Sequence, residues 1–285
     1  PRGFTITHHS KDFKVGGIWH YTMHGPDGVD YVNKTKYLEI VPFSKMVYDH
    51  GGNDEQKPIF RVTVLFKEVG SKTQMEMTMV FPDAEAAENT RKFAIKKHNG
   101  NSTWDRLAEY LEQGTSKKEI FVINRSFNAP LELVYDVWSK PEHLSRWMPP
   151  TGFTMKFIEV DMRPGGKGFY SMTDAGGKMT MYGKAQYLEF TRPNRIVYTQ
   201  QFADEKGNTA HHPMSPTWPE TMLTTVLFTA EGPDQTRVTI TWEPYGKPVA
   251  AETETFIKAR AGMAQGWGGS LDKLEDYLEQ QGVKA

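Results

Sequence analysis

The chain carries nine histidines and no cysteine. His8-His9 and His211-His212 are adjacent pairs, and neighbours on an extended backbone point to opposite faces, so neither pair gives a metal two ligands. No H-E-x-x-H spacing occurs, and the missing thiols remove Cys-ligated zinc, a thiolate nucleophile and any disulfide framework. The reading is therefore no metal and no cofactor. A nucleophile elbow, G-x-S-x-G, is absent, and so is the phosphate loop G-x-x-x-x-G-K-[ST]. Glu252, Glu254, Asp272, Glu275 and Asp276 read as the solvated face of a helix. With no convergent acid and base, catalysis is not the first expectation. The residues left to do chemistry are aromatic rings and thioethers: Trp147, Phe169, Met181, Met222, Trp242, Met263 and Trp267. His212 and Trp218 join them from a loop at a groove mouth, His211 to Pro216 and beyond. The corresponding set in the first half is Trp19, Tyr21, Tyr31, Phe93 and Trp104. Core packing accounts for any one of these; as a set they suit an adaptable apolar pocket.

The elements that would position them come twice. "LAEYLEQ" (Leu107 to Gln113) and "LEDYLEQ" (Leu274 to Gln280) are nearly the same heptapeptide, and further pairs precede them in the same order. Gly3-Phe4-Thr5 matches Gly152-Phe153-Thr154, Gly16-Gly17 matches Gly165-Gly166, and Tyr37-Leu38-Glu39 matches Tyr187-Leu188-Glu189. Val47-Tyr48 matches Val197-Tyr198, and Thr63 to Phe66 matches Thr225 to Phe228. The separation between partners widens along the chain, as loop insertions in the second copy would make it. This predicts a first domain at 1–113, a short polar linker at 114–119 and a second domain at 120–285.

In the second copy Ile120 to Phe127 reads as a strand, Pro130 opens a helix, and a second short helix ends at Trp147 before Pro149-Pro150. Six β runs follow from Phe153 to Trp242, and then a helix from about Ala251 to Gln280 with Trp267, Leu271, Leu274 and Leu278 on one stripe. Gly262, Gly266, Gly268 and Gly269 mark a close approach, a bend, or a break into two shorter helices. The first copy repeats six strands and a final helix, with Asp83 placed as its N-cap. The fold class is α+β: two tandem domains, each a curved antiparallel sheet of about six to seven strands around a long C-terminal helix. A twisted sheet crossed by one helix leaves a groove. The first copy has no counterpart of Ile120 to Pro149; truncation upstream is the preferred expectation, with completion by another chain, and so self-association, as the alternative.

At 285 residues and a net charge of −1, the chain has no field for nucleic acid. No apolar run reaches the roughly 18 residues that suggest a membrane span, and the cysteine-free composition suits the cytoplasm.

"INRSFNAPLELVYDVWSKPEHLSRWMPPTGFT" (Ile123 to Thr154) closely resembles the opening of domains in the family named for activators of the heat-shock-protein-90 ATPase. That family belongs to the START-type, helix-grip superfamily also called SRPBCC. Phe127, Ala129-Pro130, Glu132, Val134, Trp138, Pro141-Glu142, Leu144 and Trp147 occupy its pattern. The "RPGG" of Arg163 to Gly166, Pro216 to Phe228, and the segment from Gly266 extend the likeness, while Trp147-Met148 stands where the family usually has two tryptophans. The resemblance implies a binding module without naming its ligand, and the repeat, the groove and the aromatic and Met content point to a small hydrophobic or amphipathic molecule between sheet and helix. The resemblance also implies two alternatives, a protein-interaction module acting on a chaperone and a cyclase- or aromatase-like enzyme.

Overall fold

The computed structural model describes residues 3–51, 57–70, 72–96, 102–116 and 119–282. The chain divides into two compact units, Pro1–Thr103 and Trp104–Ala285.

The first unit is a six-stranded antiparallel meander in the order β1-β2-β3-β4-β5-β6. Its strands are β1 (Thr5–Lys11), β2 (Ile18–His24), β3 (Asp30–Val41), β4 (Lys45–His50), β5 (Phe60–Val69) and β6 (Lys72–Val80). Helix α1 (Ala84–Lys96) follows, and Asp83 Oδ1 accepts the Ala86 N–H at 2.8 Å, the cap its sequence position predicts.

Helix α2 (Ser102–Thr115) carries the first heptapeptide and, from Trp104 on, belongs to the second unit. There Glu109 accepts the backbone N–H of Asn124 at 2.7 Å, and Asp105 pairs with Arg237 at 2.8 Å. Asn124 lies on a strand whose other side is unpaired, so Glu109 covers an edge that would otherwise expose its donors.

The rest of the second unit runs β7 (Phe121–Phe127), α3 (Leu131–Ser139), α4 (Pro141–Trp147), β8 (Phe153–Val160), β9 (Lys167–Asp174), β10 (Thr180–Thr191), β11 (Arg195–Ala203), β12 (Met222–Gly232), β13 (Gln235–Pro244) and α5 (Ala250–Gly282). Its seven strands lie in the order β7-β13-β12-β11-β10-β9-β8, all antiparallel. Helix α3 starts after Pro130 and α4 has Pro141 in its first turn, where a missing N–H costs nothing. The "RPGG" turn demands glycine: Gly165 has φ +82°, and a Cβ on Gly166 would stand 2.0 Å from the Asp161 carbonyl oxygen.

The register shows the duplication. Tyr37 pairs with Tyr48 and Tyr187 with Tyr198, and in both modules a β-bulge follows the first tyrosine of the pair.

Helix α5 is continuous over 33 residues, so its glycines do not break it. A Cβ on Gly269 would approach Thr151 Oγ1 at 2.9 Å, while Gly262, Gly266 and Gly268 face open space. Close approach thus explains one glycine of the four. Phe256, Met263, Trp267, Leu271, Leu274 and Leu278 form the buried stripe of α5, packed with Val134, Trp138, Trp147, Phe228 and Ile240 in one core. The helix is held down at its centre: Ser270 Oγ donates to the Met148 carbonyl at 2.8 Å, and Lys273 Nζ to the Pro149 carbonyl at 2.9 Å.

Candidate functional site

The core stripe of α5 does not fill the concavity of the second sheet. A cavity of about 360 Å³ remains between β8–β12, α5, the end of α4 and the loop between β11 and β12. That is within the size range of small-molecule sites. Methionine dominates its wall. Met148 closes α4, while Met155, Met172 and Met181 come from β8, β9 and β10. Met162, Met214, Met222 and Met263 complete the set from two loops, β12 and α5. Eight of the chain's 14 methionines therefore face one space, giving it unbranched, polarizable walls that repack around different shapes.

Along β9 alternation decides which residues reach the cavity, while near the mouth consecutive residues of β10 (Met181 to Gly183) and β11 (Gln200 to Phe202) border it. On β9 and β10, Tyr170 lies opposite Gly183 and Met172 opposite Met181, and these residues line it. Phe169 is one residue out of phase. It stands on the other face of the sheet, stacked 6.0 Å from Tyr182 and beside Lys184 and Lys206 in a separate polar depression. Trp147 is also displaced from the expected lining. It is fully buried, 4.5 Å from the Trp138 ring, and its indole N–H donates to the Val137 carbonyl at 3.1 Å. It is core, locked by α3.

The other seven expected residues of this module line the cavity: Met181, His212, Trp218, Met222, Trp242, Met263 and Trp267. Trp267 sits with its ring 5.5 Å from Trp242 and 6.2 Å from Trp138. At the mouth, the His212 ring meets Phe202 edge-on at 4.6 Å and Trp218 at 5.8 Å. Its Nδ1 accepts the Met214 N–H at 3.1 Å, so the neutral imidazole carries its proton on Nε2. Burial lowers its pKa, favouring that neutral form. Thr217 and Thr255 share a hydrogen bond of 2.8 Å between their hydroxyls, fastening the loop to the start of α5.

The polar side chains of the lining include Tyr170, Tyr182, Tyr187, Tyr198, Gln200, Gln201, Ser270, Glu220 and His212; among the described residues, no lysine or arginine lines it. Gln201 donates to Thr221 Oγ1 at 2.8 Å. Burial pushes the Tyr170 hydroxyl up to about 12 and raises Tyr187 and Tyr198 as well, so all three phenols are neutral at ordinary pH. Sequence reasoning missed these tyrosines and the Met148, Met155, Met162 and Met172 wall. The signal was present in the repeat, because Tyr170 occupies the position of Tyr21, already a candidate in the first copy.

Of the first-copy candidates, three have described side chains within the first unit. Trp19, Tyr21 and Tyr31 share one face of the first sheet, with Trp19 stacked on Tyr21 at 4.1 Å and Tyr31 6.0 Å from Phe4. Trp104 belongs to the second unit, and the Phe93 side chain lies outside the described ones. Among the described residues, no cluster of three or more His, Asp or Glu is arranged to hold a metal, and no helix is long and apolar enough to cross a membrane.

The sequence pattern of the activator of Hsp90 ATPase homolog 1-like proteins matches residues 2–112 and again residues 128–279. The chain belongs to that family, in two copies. Each copy is an antiparallel sheet module of the α+β class, and the tandem arrangement is that expected from the repeated motifs. Several solved structures are similar to little more than half of this chain. A crystal structure from Chromobacterium violaceum is 25% identical, covering 56% of this chain and 97% of its own, with a TM-score of 0.44. A solution structure from Staphylococcus epidermidis is 28% identical over 58% of this chain and 93% of its own, with a TM-score of 0.45. The AHSA1 protein from Silicibacter pomeroyi is 16% identical over 57% and 99%, with a TM-score of 0.44. No curated protein matches the chain.

Proposed function

We propose that the second module binds a small, largely apolar molecule in the cavity between its sheet and α5. The observation that carries this reading is the wall itself: about 360 Å³ lined by eight methionines and the rings of Trp138, Trp218, Trp242 and Trp267. The largely apolar side chains that line this half-open space lack packing partners on the side that faces it, and an apolar guest would supply them. Family membership supports the reading, because it places the chain among helix-grip modules whose sheet and terminal helix enclose such a groove. A chaperone partner is suggested by the family description alone, and His212 with Glu220 would be the acid-base pair of an enzymatic reading. Neither has an observation comparable to the cavity.

The test is native mass spectrometry of the freshly purified full chain against its denatured mass. A discrete, reproducible extra mass released on unfolding supports the reading and gives the ligand class. Bare protein that also takes up no added naphthalene or alkylnaphthalene refutes it.

A further inference from the structure

Three phenols meet at one part of the cavity wall. Tyr187 and Tyr198 are direct partners across β10 and β11, their rings 6.1 Å apart, and Tyr170 lies across the β9–β10 ladder from Gly183. Two glycines make room for them. A Cβ on Gly183 would stand 2.4 Å from Tyr170 Cζ, and one on Gly168 would stand 2.9 Å from the Tyr187 hydroxyl, so no other residue fits without moving a ring. Among the described residues, no protein group pairs with the hydroxyl of Tyr170 or Tyr187. Nor is either sealed away like the unpaired indole N–H of Trp138.

The first module shows what the same trio is like when it is closed. Tyr21, Tyr37 and Tyr48 occupy the corresponding positions, but Trp19 replaces Gly168 and stacks on Tyr21 at 4.1 Å. Thr35 replaces Ala185 there and hydrogen-bonds the Tyr21 hydroxyl. In the first copy Trp19 and Thr35 cover and pair Tyr21; in the second Tyr198 has Thr224 as a partner, while Tyr170 and Tyr187 turn their hydroxyls to the cavity.

We propose that Tyr170, Tyr187 and Tyr198 seat an uncharged oxygen, a carbonyl or hydroxyl, of an otherwise apolar ligand. The inference rests on the binding reading above and specifies the ligand's polar end. An anionic head is disfavoured because, among the described residues, no lysine or arginine lines the cavity, and the carboxylate of Glu220 does. Burying an unpaired charge there costs far more than three neutral donors return. A head with no oxygen would leave the hydroxyls of Tyr170 and Tyr187 unpaired.

Three probes of nearly one shape separate these cases: 2-acetylnaphthalene, 2-isopropenylnaphthalene and 2-naphthoate, titrated calorimetrically into the full chain at pH 8. The wild type binds the ketone roughly tenfold tighter than the alkene, the effect of one well-made hydrogen bond, and the carboxylate most weakly. In the triple variant Tyr170→Phe, Tyr187→Phe, Tyr198→Phe the ketone falls to the affinity of the alkene, while alkene affinity stays at the wild-type level. Retained alkene binding is the control for folding. Should the triple variant lose it, Tyr187→Phe alone decides, and it must reduce the ketone-to-alkene ratio. A ratio near one in the wild type, a ratio the variants leave unchanged, or tightest binding of naphthoate overturns the phenol assignment with the cavity reading intact. Failure of all three probes to bind overturns the cavity reading and the inference with it.

Discussion

Trp267 separates the cavity from the core beneath it, so truncating it tests whether the wall is built as described. Its side chain is 7% exposed, and its ring lies between those of Trp138 and Trp242, which are carried by α3 and β13. Those neighbours cannot close the gap, because Trp138 is pinned by Trp147 at 4.5 Å and by Phe228 at 5.9 Å. Trp267→Ala therefore loses both the transfer free energy of an indole and two aromatic contacts, with little collapse to offset the hole. Large aromatic truncations of this kind cost about 3–5 kcal/mol, and the upper half of that range is expected here. For a unit of this size each kcal/mol lowers Tm by about 2–4 °C, which makes the fall roughly 8–20 °C. Urea unfolding followed by far-UV circular dichroism measures it, with an unchanged slope showing that the native state stays compact. A loss below about 1 kcal/mol with an unchanged slope would refute the packing argument, because it would mean that the ring makes few contacts worth keeping.

Thr236 is fully buried and its hydroxyl donates to the Ala129 carbonyl at 2.8 Å, so Thr236→Val strands that carbonyl and should lower stability by about 1–3 kcal/mol, read by the same urea curves. Asp105 is almost wholly buried and faces Arg237, which keeps Glu231 at 2.7 Å; Asp105→Ala should cost roughly 2 kcal/mol, and Arg237→Met with Asp105→Leu should recover much of it. Burial lowers the pKa of His212 in the second module and of His50 in the first, so the unfolded chain takes up their protons first as pH falls. Stability from these groups is complete above the unfolded value of about 6.5 and is lost as pH falls through it towards the lowered folded values. Urea midpoints measured from pH 8 down to 5 should show this decline, and His212→Phe should flatten part of it.

Period and punctuation made most of the architecture readable. The "RPGG" turn, Pro141 and the Trp267-Leu271-Leu274-Leu278 stripe each act locally, and each lies where its physics puts it. The tandem copies were legible because loop insertions leave the order of paired motifs intact. The site was less legible for two reasons. A strand places alternate residues on opposite faces, so choosing Phe169 over Tyr170 was an error of one position that moved the side chain through the sheet. Composition also cannot distinguish a buried tryptophan from a lining one. Trp147 and Trp267 belong to one core cluster, yet only the second borders space, because α3 covers the first. In the first copy the heptapeptide signals a helix correctly, but sequence does not reveal that this helix from Trp104 on makes ion-pair and edge contacts with β7 and β13.

The methionines provide the most direct test of the central claim. The full chain, labelled at its methionine methyl groups with carbon-13, is titrated with 2-acetylnaphthalene and followed by two-dimensional NMR. Saturable shifts confined to Met148, Met155, Met162, Met172, Met181, Met214, Met222 and Met263 are predicted, with Met23, Met46, Met75, Met77 and Met79 of the first module unmoved. Shifts centred on the first-module methionines, or no shift up to the solubility of the probe, would contradict the account.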